Sequence, residues 1–360
     1  MLLIPLLKKE VHWSKRNILI LGFLLILVPA TFGWSTIAFQ ETVPEDIPVA
    51  VVAQNDNVTD DDLNQVESAL VLNANPKVVN SKETARENQN EAVTMLEREE
   101  VYAVIEVPPD PSGTGDTNFT LTIDGSIAPI QEAAPFIVEL VEGETDRIEG
   151  SVNAEVNTVG EENGLGEFLY PAYMMALLIF FAFTYFPYEL RRDSHVLDRL
   201  RVETTVEAVV ASKLLYIGVL MLLPLAVFHA ISWNFGYSVN TTSPVALGVL
   251  LITFLGLSTI SGTVMVLSRF SGAGQFVNLL GMLGILAGSA IAFPRGSLSS
   301  IRPIIAQFIP VHYAGVTVRS MMLKDVPAGQ YTDMILVTVG MFLLGTIALK
   351  GSIIYYRRTS

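Results

Sequence analysis

The chain has 360 residues, 51% of them hydrophobic and 16% charged, with a mean hydropathy of +0.46 and a net charge of −14. That balance is high for a soluble domain and ordinary for a polytopic membrane protein. Cysteine is absent, which excludes a disulfide framework, a thiolate zinc site and a thiol nucleophile. The four histidines, His12, His195, His229 and His312, lie in four different segments, which argues against a histidine metal cluster.

In chain order, residues 1–16 place Leu2, Leu3, Leu6, Leu7 and Trp13 around Lys8, Lys9 and Glu10. Such a stretch can lie along the membrane interface as an amphipathic helix, the plainer alternative being a frayed basic start. Asn17 to Phe39 is apolar and long enough to cross a bilayer as a first span. It is too long for the apolar region of a signal peptide and has no clean small-x-small site after it, so it reads as retained.

Residues 40–167 are acidic, with 28 carboxylates against 5 basic side chains, a net of −23 within a chain of −14, so the remainder is +9. Such a surface repels nucleic acid and anionic head groups and stays soluble by self-repulsion. Few lysines beside many carboxylates suggests a high-salt habitat, where screening removes the repulsive cost. Asp60-Asp61-Asp62 lacks the spaced oxygens and turn glycine of a calcium loop.

The pattern within this stretch gives a strand at Ile47–Ala53, a helix at Asp60–Leu72, a short apolar run at Lys77–Val79 and a helix at Glu83–Glu100. Strands follow at Val101–Val107 and Phe119–Asp124, then a helix at Ile127–Ile148 and a polar return at Ser151–Gly166. That order predicts a small mixed α/β domain. It has no histidine, no nucleophile or metal spacing and few aromatic rings, so no catalytic or stacking site stands out.

Five further apolar stretches follow, Phe168–Pro187, Leu214–Gly236, Pro244–Leu267, Phe276–Phe293 and Met334–Tyr356. The fold class expected is therefore a polytopic α-helical membrane protein of six transmembrane helices, with an inserted small mixed α/β extracellular domain. The bundle is expected over 168–356, ending in a tail at 357–360.

Lys8, Lys9, Lys15 and Arg16, then Arg191, Arg192, Arg199, Arg201 and Lys213, then Arg269, Arg357 and Arg358 all fall on one side of this arrangement. By the positive-inside rule that side is cytoplasmic, which places both termini inside a cell membrane and residues 40–167 outside. The three Asn-x-Ser/Thr sequons, at Asn57, Asn118 and Asn240, fall on the external side as glycosylation requires.

Within the spans no Asp or Glu sits near the middle, against the ionisable groups an ion-coupled secondary transporter usually carries. His229 and Asn278 are the notable polar groups there, read as interhelical hydrogen-bond formers. Lys350, near the inner end of the last span, can snorkel. Gly256, Ser258, Gly262, Gly281, Gly284 and Gly288 read as close-packing positions, with a dimer face as the sharper alternative. There is no G-x-x-x-x-G-K-S/T phosphate loop, so any ATP-driven transport needs an ATPase on a separate polypeptide.

Four places carry a family resemblance. Leu7-Lys8-Lys9-Glu10 resembles the start of an interfacial elbow helix. Ile47–Val52 and Val101–Pro108 resemble an opening strand and an "avi-x-iP" strand. Arg191 through Asp193, Asp198, Arg199 and Arg201, on to Glu207 and Lys213, is similar to an "ERE-x-GTLE-x-L … GK" segment, with His195 where glycine is usual and Glu203-Thr204 in place of Thr-Pro. Phe293-Pro294, then Pro310, Tyr313 and Arg319, resembles an external re-entrant "FP … P-x-x-Y" element within 294–333.

Together these resemble a permease subunit of the ABC-2 type, the type V ABC exporter fold, in the branch with a large external domain between its first two spans. The resemblance implies that 188–213, with Lys9 and Glu10, docks on an ABC ATPase subunit that carries ATP and Mg. It implies no cofactor or catalytic residue in this chain, and a second permease subunit, identical or related, beside it in the lipid bilayer. A membrane-anchored receptor or scaffold acting through the external domain is the alternative function, followed by a secondary transporter.

Overall fold

The computed structural model describes residues 8, 47–71, 74–109, 111, 117–127, 152–159, 162–194, 205–289, 291, 306–324 and 326–359. They fall into two compact units, one of residues 47–168 and one of helices that holds Lys8 and the described residues from Leu169 onward. The N-terminal helix expected at 1–16, the span at 17–39 and the helix at 127–148, apart from Lys8 and Ile127, lie outside these residues.

The first unit is a five-stranded sheet in the order β2-β1-β3-β4-β5, with β1 Ile47–Ala53, β2 Ala74–Val78, β3 Ala103–Val107, β4 Thr117–Asp124 and β5 Val152–Val159. β1 runs parallel to β2 and β3, β3 pairs antiparallel with β4, and β4 is parallel to β5. Val49 to Ala53 are all buried, which is why β1 reads as a continuous apolar run instead of an alternating one.

Helix α1, Asp60–Leu70, links β1 to β2, and α2, Ala85–Glu97, links β2 to β3. Ala50, Val52, Val79, Ala92, Met95, Leu96, Val101 and Val104 form one buried cluster that joins α2 to the sheet. Both helices are capped from sequence: Thr59 and Asp62 form a capping box, and the Thr84 hydroxyl accepts from Glu87 N.

Three local readings change. Val152–Val159, expected as part of a polar return, is strand β5, and its pairing partner β4 lies about thirty residues back in sequence. The run read at Lys77–Val79 is strand Ala74–Val78, in which Pro76 is tolerated because β2 is an edge strand of the described sheet. Helix Glu83–Glu100 shortens to Ala85–Glu97 because Thr84 caps it and Glu99 turns left-handed at φ 57°.

The second unit is helical. Its helices are α3 Leu165–Ser194, which belongs to this unit from Leu169, α4 Val206–Phe235, α5 Pro244–Leu267, α6 Gly272–Gly288, α7 Pro310–Leu323 and α8 Thr332–Thr359, the last preceded by a 3-10 turn at Ala328–Tyr331. Among the described residues α3, α4, α5 and α8 are long and apolar enough to cross a membrane, and α6 is apolar but shorter. Helix α8 continues through the residues expected as a tail, to Thr359.

The ends follow local chemistry. Ser243 caps α5 with Pro244 at its first position, and Arg269 and Phe270, both left-handed, turn the chain into α6. Gly236 at φ 71° closes α4. α4 begins at Val206, eight residues before the stretch read from hydropathy, under the Thr205 cap. Its first two turns carry Glu207 and Lys213, whose charges lower the hydropathy and are matched by distant partners.

Packing relies on small residues where helices approach. A Cβ on Gly345 of α8 would meet the Thr259 hydroxyl of α5 and stand 3.2 Å from the Gly256 carbonyl oxygen. A Cβ on Gly256 would stand 2.8 Å from Met341 Cε and 3.3 Å from Phe342 Cα. This is close backbone approach of the kind that holds membrane helices together without a hydrophobic drive. Helix α3 widens into a π-helical turn at Phe181–Tyr185, where the Thr184 hydroxyl donates to Phe180 O at 2.5 Å. Phe183 and Phe186 from this region fill the space left by Gly281 and Gly262.

Candidate functional site

The last turns of α3 carry Glu189, Arg192 and Asp193 at i, i+3 and i+4, one face of a helix. Facing them is Lys213, two turns inside the capped start of α4. Its Nζ lies 3.3 Å from Glu189 Oε2 and 3.0 Å from Asp193 Oδ2. Arg192 Nη1 donates to Glu189 Oε1 at 2.6 Å, and its Nε stands 3.7 Å from Asp193 Oδ1. The Lys213 and Glu189 side chains are 1% and 2% exposed. Among the described residues these two carboxylates and two cations form one group that joins α3 to α4.

A half-exposed ring of contacts surrounds this group. Arg191 Nη1 donates to Gln275 Oε1 at 2.5 Å, tying α3 to the first turn of α6. Arg357 pairs with Glu207, tying the end of α8 to the start of α4. Arg269 Nη2 donates to the Thr359 carbonyl at 3.4 Å, and the Phe270 and Tyr356 rings meet edge-on at 5.7 Å. The charged ends of α3, α4, α6 and α8 and the turn between α5 and α6 are therefore cross-linked at one end of the unit. A buried ion network of this kind adds little net stability, since desolvation offsets attraction, but it fixes which faces meet.

Of the residues the sequence singled out for coupling, the structure brings together Arg192, Asp193 and Lys213, and sets Arg191 and Glu207 on the ring. Lys9, Glu10, Asp198, Arg199 and Arg201 lie outside the described residues. Sequence reasoning missed Glu189, Gln275 and Arg357 as partners. Glu189 carried a signal, because it precedes Arg192 by three and Asp193 by four residues on a helix end.

At the opposite end of the unit lies α7. It has 14 residues, about 21 Å, short of the roughly 30 Å hydrocarbon core. Val311, His312 and Ala314 through Leu323 are buried, and α7 packs against α5 and α8. Arg319 Nη2 donates to Ile291 O at 2.6 Å, and His312 Nδ1 bonds Ser289 O at 3.0 Å, so two buried polar side chains hold the end of α6. The Tyr313 hydroxyl donates to Gln307 O at 2.9 Å, and Asn240 N donates to Met322 O at 2.8 Å. Pro310 opens the helix at its first turn. Phe293 and Pro294 lie outside the described residues.

The sequon residues Asn57, Asn118 and Asn240 are exposed, in the turn after β1, on β4 and in the α4–α5 turn. Within α5 and α6 the Asn278 side-chain amide donates to Ser261 O at 3.3 Å, while His229 Nδ1 meets the Thr241 hydroxyl at 2.5 Å. No cluster of three metal-binding side chains occurs among the described residues.

A helical unit with several membrane-length apolar helices defines a multi-pass membrane protein. The sequence profile of the ABC-2 family transporter proteins matches residues 16–350, and the chain belongs to that family. It is thus a membrane permease component of an ABC transporter. No curated protein and no solved structure matches it significantly.

Proposed function

We propose that this chain is the membrane-spanning subunit of an ATP-driven exporter and that its cross-linked charged end docks a separate ATPase carrying ATP and Mg. The observation that carries this is the Glu189–Asp193–Arg192–Lys213 group, with its surrounding ring, which joins α3, α4, α6 and α8 at the end rich in Lys and Arg. In this reading that end is cytoplasmic, by the positive-inside rule. The acidic residues 40–167 are then extracellular, and a second permease, identical or related, completes the pathway. Six spans are reached with residues 17–39 as the first. ATP-driven closure of the ATPases pushes on residues 188–213, and the ion network carries that displacement into the bundle, which shifts between two packings.

Lys9 and Glu10 would rest on the same ATPase surface, and the segment with Asp198, Arg199 and Arg201 would set its docking orientation more than its affinity. The buried α7, with Pro310, Tyr313 and Arg319, would form the re-entrant element at the external end of the pathway. The test is charge reversal of the docking segment. Arg199→Glu combined with Arg201→Glu should leave the chain folded and inserted but abolish stimulation of the partner's ATP hydrolysis. Unchanged stimulation would remove the assignment.

A further inference from the structure

Helix α8 buries Met334, Thr338, Met341, Gly345, Leu349 and Ile353 on one side. Its other face, at spacings of three, four and seven, presents Leu336, Leu343, Ile347, Lys350, Ile354 and Arg357. Leu343, Ile347 and Ile354 are 53%, 67% and 43% exposed, as suits a lipid-facing stripe. Lys350 stands in the middle of that stripe, exposed, and among the described residues no acidic side chain pairs with it.

Its depth makes this costly. The stretch from Asp333 to Arg357 is about 36 Å long, against a hydrocarbon core of about 30 Å, so the core ends near Tyr355 and Lys350 lies roughly 7 Å inside it. Cα–Cβ bonds tilt toward a helix N-terminus, so the Lys350 stem leaves α8 pointing away from the nearer surface. Bending back toward that surface brings the ammonium only to about the level of Ile354. An anion must come part of the way to meet it. Arg357 lies two turns further on the same face and gives one of its five donors to Glu207, leaving others for an anion between the two cations.

We propose that Lys350 and Arg357 clamp the phosphate of an anionic phospholipid in the leaflet nearest the charged end, with its acyl chains along Ile347 and Leu343. Tyr355, 60% exposed, stands at the interfacial level where aromatic rings collect. The site depends on α8 crossing a bilayer but not on an ATPase, so its fate is separate from that of the exporter reading.

The test uses the full chain in bilayer nanodiscs of phosphatidylcholine with graded phosphatidylglycerol, and native mass spectrometry to count retained lipid. Wild type should keep phosphatidylglycerol in preference to phosphatidylcholine. Lys350→Leu, which leaves the apolar stripe intact, should weaken that retention about fivefold, and Lys350→Arg should preserve it. Millimolar inorganic phosphate should not displace the lipid. Equal retention by Lys350→Leu would overturn the proposal, as would displacement by phosphate alone, which marks a free-anion site. A change in oligomeric state in Lys350→Leu with lipid binding unaltered would instead assign Lys350 to a protein carboxylate, and would also overturn it.

Discussion

Replacing Lys213 with Met keeps the length and apolar stem of the side chain but removes the charge that faces Glu189 at 3.3 Å and Asp193 at 3.0 Å. Both carboxylates are nearly inaccessible, at 2% and 5% side-chain exposure, so water cannot take over the role of the ammonium. The ammonium that bridges the two carboxylates is then gone from a site closed to water. Removing one partner of a buried ion group costs about 3–5 kcal/mol. For a unit of this size that is a fall of roughly 6–20 °C in the unfolding midpoint. The assay is thermal unfolding of the detergent-solubilised chain followed by intrinsic fluorescence.

Two comparisons make the result specific. Glu207→Gln breaks the Arg357 pair, whose side chains are 42% and 46% exposed, and should cost no more than about 1 kcal/mol. Adding Asp193→Asn to Lys213→Met removes the carboxylate 3.0 Å from the lost ammonium and should recover much of the loss, because the Arg192–Glu189 pair remains. A Lys213→Met loss below about 1 kcal/mol, or no recovery in the double variant, would refute the buried network as the element that joins α3 to α4.

Gly345→Ala puts a methyl group against the Thr259 hydroxyl and 3.2 Å from the Gly256 carbonyl, and overpacking of this kind costs about 1–3 kcal/mol. Thr259→Ala should relieve part of that cost in a double-mutant cycle, and strict additivity would contradict the contact. Glu106 on β3 is half-buried, and desolvation raises its pKa above the ordinary 4.5. A carboxyl whose folded pKa is raised contributes stability that is fully present below its unfolded pKa and lost as pH rises through the folded one. Glu106→Gln should therefore gain relative to wild type as pH rises past 4.5, read as slower amide exchange in β1 and β3. A pH-independent difference would argue against burial as the cause.

How far the sequence could be read varied with how local each signal is. Pro244–Leu267 is legible to the residue, because a serine cap and a proline at the first position mark its start and a charge-free, mostly apolar stretch runs to its end. β1 and β3 were legible for the same reason, as β-branched runs closed by polar or proline-containing turns. The start of α4 was not, because hydropathy counts Lys213 as a charge, and its neutralisation comes from Glu189, 24 residues away. β5 was hidden by its asparagines and its glutamate. Residues of low strand propensity stand there because pairing with β4 supplies the stabilisation.

The candidate site shows the same limit. Arg192, Asp193 and Lys213 were visible as a charged segment, but their mutual distances were not. Glu207 looked like one more docking charge, whereas it pairs with Arg357, 150 residues later. Only the folding of α3, α4, α6 and α8 against one another turns scattered basic residues into a single cross-linked end.

The most direct measurement is gentle purification of the tagged chain from its native membrane, followed by identification of co-purifying chains and an assay of ATP hydrolysis. An ABC transporter permease with its docking end as proposed should bring down a stoichiometric phosphate-loop ATPase whose hydrolysis depends on the chain. A partnerless preparation that hydrolyses no ATP would contradict the exporter reading.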